Sequence, residues 1–447
     1  MKNDLTTGSV ARTLIKFTIP LLLANLLQAF YAVADMIIVG IFSGHNSISA
    51  VSTSGQFTQV VAMLLMGLAM GATVLVAQYE GAKQSEEQGK TVGSAIILFV
   101  IVSVVITIAA LLSGHFILKT LNTPAEAYDE SYRYFMICMS GTIFIMGYNA
   151  ISSILRGKGD SKTPLVMVTI AAFANVVLDL ILVGYFKMGA AGAAYATVAA
   201  QALSMVMSLF IMIKNNTFPH FKPSYMRWDK KIIGKLLSIG VPMSIQQTIV
   251  SLSFLFLTSI TNSFGVIASA AAGIAGKING FAILPAGAMM MAISAMSGQN
   301  IGANEVKRAK QTMLTGIKLI MPFIAIMFVF IFVFAGGLIR IFTPEAEVIN
   351  IGITFLRICS GEYLLLSIVF SQNGLLVGAG RTRLTLVSSV ASSIILRIPL
   401  AMFLSRLMGF NGIAVAIAVS PFASLLLGGI FIHSGHWEKP LKVIAEN

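Results

Sequence analysis

The chain has 447 residues, of which 57% are hydrophobic and only 11% charged, against roughly 25% charged residues in water-soluble domains. That composition excludes an ordinary soluble enzyme and leaves the lipid bilayer as the medium in which the chain folds. A formal net charge of +13 would suit a nucleic-acid binder, but in a membrane protein Lys and Arg mark the loops kept in the cytoplasm, so no nucleic-acid partner is implied.

A spanning helix needs roughly 20 predominantly apolar residues. Such runs occur at 14–42, 50–78, 91–113, 131–155, 162–184, 191–213, 234–260, 267–297, 312–335, 353–377, 384–405 and 413–433. The first carries Lys16 and lacks a small-residue cleavage site, so it reads as a retained span rather than a signal peptide. The two cysteines, Cys138 and Cys359, each fall inside an apolar run and suggest neither a disulfide framework nor a metal centre. With the N-terminus inside, 21 of the 30 basic residues fall on the cytoplasmic side, from Lys2, Arg12 and Lys16 to Lys439 and Lys442. This asymmetry orients the chain with both termini in the cytoplasm of a cell membrane.

The sequence repeats itself at an offset of 220 to 222 residues. Ile19-Pro20 matches Val241-Pro242, Gln78 matches Gln299, Thr123-Pro124 matches Thr343-Pro344, Gly157 matches Gly378, and Met188-Gly189 matches Met408-Gly409. We therefore expect an all-α integral membrane protein of twelve transmembrane helices in two six-helix lobes. An even number of spans per half brings both halves in from the same side, related by a pseudo-twofold axis along the membrane normal. The N-lobe covers 1–213, a basic cytoplasmic linker with Pro219 and Pro223 covers 214–231, and the C-lobe covers 232–447. One chain contains both halves, so a monomer suffices.

An acidic side chain at membrane depth costs roughly 2.5 to 3.5 kcal/mol, so each one is a functional candidate. Asp35, Asp179 and Glu362 are three such residues. Asp35 and Asp179 both fall roughly 8 to 10 Å beneath the outer surface. Asn175 precedes Asp179 by one helical turn on the same face, and Thr197 returns to that level on the antiparallel span 6. Asp35, Asn175, Asp179 and Thr197 together offer the oxygen ligands that hard cations such as Na⁺ prefer, and two close carboxylates could equally share a proton. The alternative, a structural pairing of the acids with Lys or Arg, finds no basic residue at membrane depth in the first half after Lys16.

In the second half Lys277, Glu362 and Arg397 fall at comparable depth, either as a structural ion cluster or as part of a cavity. Lys277 lies in the glycine-rich stretch Ala275-Gly276-Lys277-Ile278-Asn279-Gly280. Gln246, Gln247 and Asn279 are the polar candidates for a substrate cavity. Pro20 is the candidate hinge of span 1, fifteen residues before Asp35. Five scattered His and no reactive constellation argue against an enzyme and imply no cofactor beyond a coupling ion.

These stretches resemble the multidrug and toxic compound extrusion (MATE) family, in the branch called DinF-like. The likeness covers nearly the whole chain. It rests on Pro20-Leu21-Leu22 with Tyr31-Ala32-Val33-Ala34-Asp35, on Leu155-Arg156-Gly157-Lys158-Gly159-Asp160, on Asn175-Val176-Val177-Leu178-Asp179, and on Met188 to Thr197. The resemblance implies a two-lobed transporter exporting small organic, often cationic or amphiphilic, compounds in exchange for H⁺ or Na⁺ by alternating access. It also implies that Asp35, Asn175, Asp179 and Thr197 form the cation site and that Pro20 is the bending point. Another branch carries acids on spans 7 and 10 of the C-lobe. Here span 7 has Gln246 and Gln247 instead, and Lys277 and Arg397 give that lobe a net positive interior. A flippase for a lipid-linked saccharide, sharing the six-plus-six plan, is the competing expectation.

Overall fold

The computed structural model describes residues 4–121 and 123–438, so Lys2, Lys439 and Lys442 of the charge count lie outside the described residues. Hydrocarbon supplies no hydrogen-bond partner, so a spanning backbone must satisfy itself, and the described residues form helices without a strand. The spans are α1 Val10–Gly44, α2 Ser47–Gly81, α3 Ser85–Thr120, α4 Ala125–Ser140 with Thr142–Gly157, α5 Lys162–Tyr185 and α6 Gly189–Lys214. They continue as α7 Lys230–Asn262, α8 Val266–Gly302, α9 Val306–Arg340, α10 Ala346–Gly378, α11 Thr382–Met408 and α12 Phe410–His433. Eleven are long and apolar enough to cross a membrane by themselves, and the two arms of α4 make up to twelve.

Each apolar window of the sequence lies inside one of these helices. The helices overrun the windows because polar residues continue them beyond the hydrocarbon. Glu86 and Glu87 occupy the first turn of α3, where the positive end of the helix dipole favours them. In contrast to the unbroken fourth window, α4 bends by 45° at Gly141. A Cβ at Gly141 would fall 2.5 Å from a methyl of Val198, so the break brings bare backbone against α6.

The chain divides into two compact units. One comprises Leu23–Gly240; the other comprises Asp4–Leu22 together with the chain from Val241 onward. The first boundary falls two residues after Pro20, which is buried within α1, and the helix keeps helical backbone angles through it. In the second unit the lead-in to α1 is anchored by polar contacts. Leu5 is buried, its N–H donates to Oε1 of Gln299 at 3.2 Å and its carbonyl accepts from Nδ2 of Asn300 at 3.4 Å. Arg308 donates to the carbonyl of Thr7 at 2.8 Å.

The repeat recurs as packing. A Cβ on Gly157 would fall 2.6 Å from the carbonyl oxygen of Thr73, and one on Gly378 would fall 2.5 Å from that of Ser294. Thr73 and Ser294 are separated by the repeat offset, as are the two glycines, so each unit contains the same close crossing of its most buried helix, α2 or α8, with the end of α4 or α10. The polar dressing is not repeated. Lys158 bridges Glu80 at 2.6 Å and donates to Gln88 at 3.0 Å, whereas the corresponding positions Ala379 and Ile301 have lost both charges together. Overpacking a helix crossing costs about 1–3 kcal/mol. Gly157→Ala and Gly378→Ala should each destabilise by that amount, read as a lower Tm in detergent. Gly276→Ala, where an added Cβ meets nothing within 4 Å, should leave Tm unchanged or slightly raised; equal behaviour of all three would disprove the close crossing.

Candidate functional site

In the unit formed by Leu23–Gly240, α1 and α5 bring two carboxyl groups together. Asp35 and Asp179 are 9% and 0% exposed, and their side chains interact directly. No described basic side chain forms an ion pair with either; the bridges of this unit involve Lys90 and Lys158 instead. Asn175, one turn before Asp179, is buried as well. Both polar atoms of its amide, both oxygens of Asp179 and Oδ1 of Asp35 have no hydrogen-bond partner among the described residues. The α-helix gives way to a widened π-helical turn at Leu180–Tyr185, immediately after Asp179. Such turns change the facing of the side chains on either side and recur at functional positions.

Asn175 and Thr197 line one small cavity between α5 and α6, bounded also by Tyr31, Tyr148, Gln201 and Ser204. Its room for the centre of a water-sized sphere is ≈ 10 Å³, enough for about one water or a bare monovalent ion. Tyr31 lies one turn before Asp35 on α1 and lines this cavity together with Gln201 of α6. Sequence reasoning omitted Tyr31 and Gln201. The one-turn spacing from Asp35 could have found Tyr31, but only the tertiary structure brings Gln201 to it. Asp35 and Asp179 are not among the residues that line this cavity, so the structure brings Asn175 together with Thr197 there and Asp35 together with Asp179 beside it. Oxygen groups of these kinds suit a hard monovalent cation or a shared proton rather than a transition metal.

The second unit treats its acid differently. Glu362 and Arg397 are 2% and 4% exposed and pair at 3.5 Å. Arg397 follows another π-helical turn, Ala391–Leu396, and donates from Nε to Ser420 at 2.8 Å. Its guanidinium lies 4.7 Å from the centre of the Phe254 ring. Ser420 and Phe254 were not legible as partners of Arg397 in the sequence. Lys277 stands apart: it is exposed on α8 and forms no ion pair with Glu362. Gln246 is buried and accepts a 2.8 Å hydrogen bond from Thr385, so it ties α7 to α11. Gln247 is half-buried, and Asn279 accepts a short hydrogen bond from the Tyr363 hydroxyl.

The MatE family model matches the chain twice, over residues 20–181 and 242–403, the same stretch displaced by 222 residues. The chain belongs to the MATE family. It is a multi-pass membrane transporter of a multidrug efflux family and not an enzyme. Among relatives of this MATE protein is the probable multidrug resistance protein YpnP of Bacillus subtilis, 28% identical over 99% of each chain. The probable multidrug resistance protein YoeA of the same organism is 31% identical over 80% of this chain and 79% of its own. A solved MOP-superfamily transporter from Pyrococcus furiosus shares the fold with a TM-score of 0.91, at 23% identity over 97% of this chain and 98% of that one.

Removing one partner of a buried ion pair strands the other and costs about 3–5 kcal/mol. Glu362→Gln should therefore lower Tm markedly by leaving Arg397 uncompensated, and the double change Glu362→Gln with Arg397→Met should recover most of the loss. Normal stability in the single variant would refute the structural pairing.

Proposed function

We propose that this MATE protein exports small organic compounds, cationic or amphiphilic in character, across the cell membrane in exchange for H⁺ or Na⁺. The observation that carries the reading is the Asp35–Asp179 pair: two buried carboxyl groups in contact, with no basic side chain among the described residues paired to them. Two like charges at that range in a low dielectric cannot both stay bare. A proton or a monovalent cation must accompany them, and that requirement is the source of coupling. Asn175 supplies a carbonyl oxygen from the same helix face and Thr197 a hydroxyl from α6, so Na⁺ would be held by Asp35, Asp179, Asn175 and Thr197, and a proton by the two acids alone.

Loss of the ion reinstates the repulsion between α1 and α5, which the chain relieves by moving α1. Pro20 is the point of flexure because it cannot donate to the carbonyl one turn earlier. Alternation of access between the lobes, 1–213 and 232–447 joined by 214–231, follows from that movement. Both termini lie in the cytoplasm in this reading, in agreement with the distribution of Lys and Arg, and the protein works as a monomer. The names of the relatives, probable multidrug resistance proteins, support an organic substrate. Pairing of Arg397 with Glu362 removes one of the two C-lobe cations that an anionic lipid-linked headgroup could use and leaves Lys277 exposed, so it is the relatives' names that favour export of an organic compound over lipid flipping.

Proteoliposomes loaded with a fluorescent organic cation test the proposal under an imposed Na⁺ or H⁺ gradient. The native protein should release the cation under one of the two gradients. Asp35→Asn and Asp179→Asn should fall to the background leak while eluting from size exclusion like the native protein. Aggregation of both variants would instead make the acids structural, and an inert native protein under either gradient would redirect attention to a lipid-linked substrate.

A further inference from the structure

The second unit contains a partly open cavity of ≈ 420 Å³ lined by α7, α8, α10 and α12, within the size range of small-molecule sites. Its wall on α8 carries Gly273, Gly276 and Gly280, which fall on one helix face. A Cβ at any of the three would meet nothing within 4 Å, so no packing demand explains the glycines, and their absence of side chains keeps the cavity open along a flat strip of backbone. Phe254 and Phe355 contribute aromatic surface to the same cavity. The Arg397 guanidinium lies against the Phe254 ring, and Phe355 stacks on Phe410 with centroids 4.5 Å apart.

Glu362 also lines this space although it is 2% exposed. Arg397 approaches its Oε1 at 3.5 Å, and this is the one side-chain hydrogen bond to Glu362 among the described residues. Besides the neutral side chains of Asn262, Asn279 and Thr258, the cavity thus offers a carboxylate acceptor whose charge is paired with Arg397. A cation docking there would add an uncompensated charge in a low dielectric, and an anion would face the carboxylate; an uncharged hydrogen-bond donor does neither.

We propose that this cavity is a second binding chamber, one that takes a flat aromatic molecule bearing an uncharged hydroxyl or amide donor to Glu362. The glycine strip receives the ring plane, and the Glu362–Arg397 pair sets the polarity. Binding here requires no ion exchange at α1 and α5, so it stands or falls separately from the coupling reaction.

The test uses the full chain in lipid nanodiscs and 4-methylumbelliferyl β-D-glucoside, a neutral fused-ring glycoside, titrated by fluorescence. Saturable binding to the native protein is expected, with Kd raised on the order of tenfold or more in Gly276→Leu, whose side chain enters the open space. Asp35→Asn should bind the probe like the native protein even when its gradient-driven export is lost. Gly280→Leu, one turn along the same wall, replaces Gly276→Leu if the latter does not fold. Absence of saturable binding, equal affinity in the glycine variants, or competition for the same glycine-dependent site by the permanently charged ethidium with higher affinity than the glucoside would each overturn the proposal.

Discussion

A backbone in hydrocarbon has no solvent to turn to, and each unpaired N–H or C=O there costs several kcal/mol. Everything else in this protein is arranged around that constraint. It forces the spans to be helical and confines departures from regular helix to places where another helix, a widened turn or a glycine absorbs them. Those departures lie beside the chemistry. One π-helical turn directly follows Asp179 and the other directly precedes Arg397. The bend of α4 lies at a glycine pressed against α6.

Two halves with one plan carry different chemistry because packing and charge obey different rules. The close crossings at Gly157 and Gly378 occur in both units, since any side chain there would strike backbone. The acids are not duplicated: Leu257 and Leu400 stand near the positions that correspond to Asp35 and Asp179. Charged pairs change as pairs, as with Glu80 and Lys158 against Ile301 and Ala379, because a lone survivor would be stranded. Duplication thus preserves the frame and leaves the polar fittings of each half free to diverge.

The contrast between the two buried acid sites follows. In the first unit two carboxyl groups meet without a basic partner among the described residues, and like charges so placed disfavour each other's ionisation. In the second, a guanidinium held by Ser420 and Phe254 accompanies the acid permanently. In the proposed reading the first arrangement responds to ion concentration, whereas the second carries its counter-charge within the protein.

The sequence by itself determined the helical class, the order of the spans, the internal repeat and the short list of buried acids. These are written in the length of apolar runs and in the rarity of charges, both of which are local properties. The one-turn spacing of Asn175 and Asp179 was legible for the same reason. Only the tertiary structure decided that Asp35 meets Asp179, that Gln201 and Tyr31 line one cavity, that Arg397 takes Glu362 while Lys277 stays outside, and that the glycines of α8 face open space. Those outcomes depend on how each helix is rotated about its own axis. That rotation is fixed by side chains packing from neighbouring helices distant in the chain, and no periodicity within a single span records it.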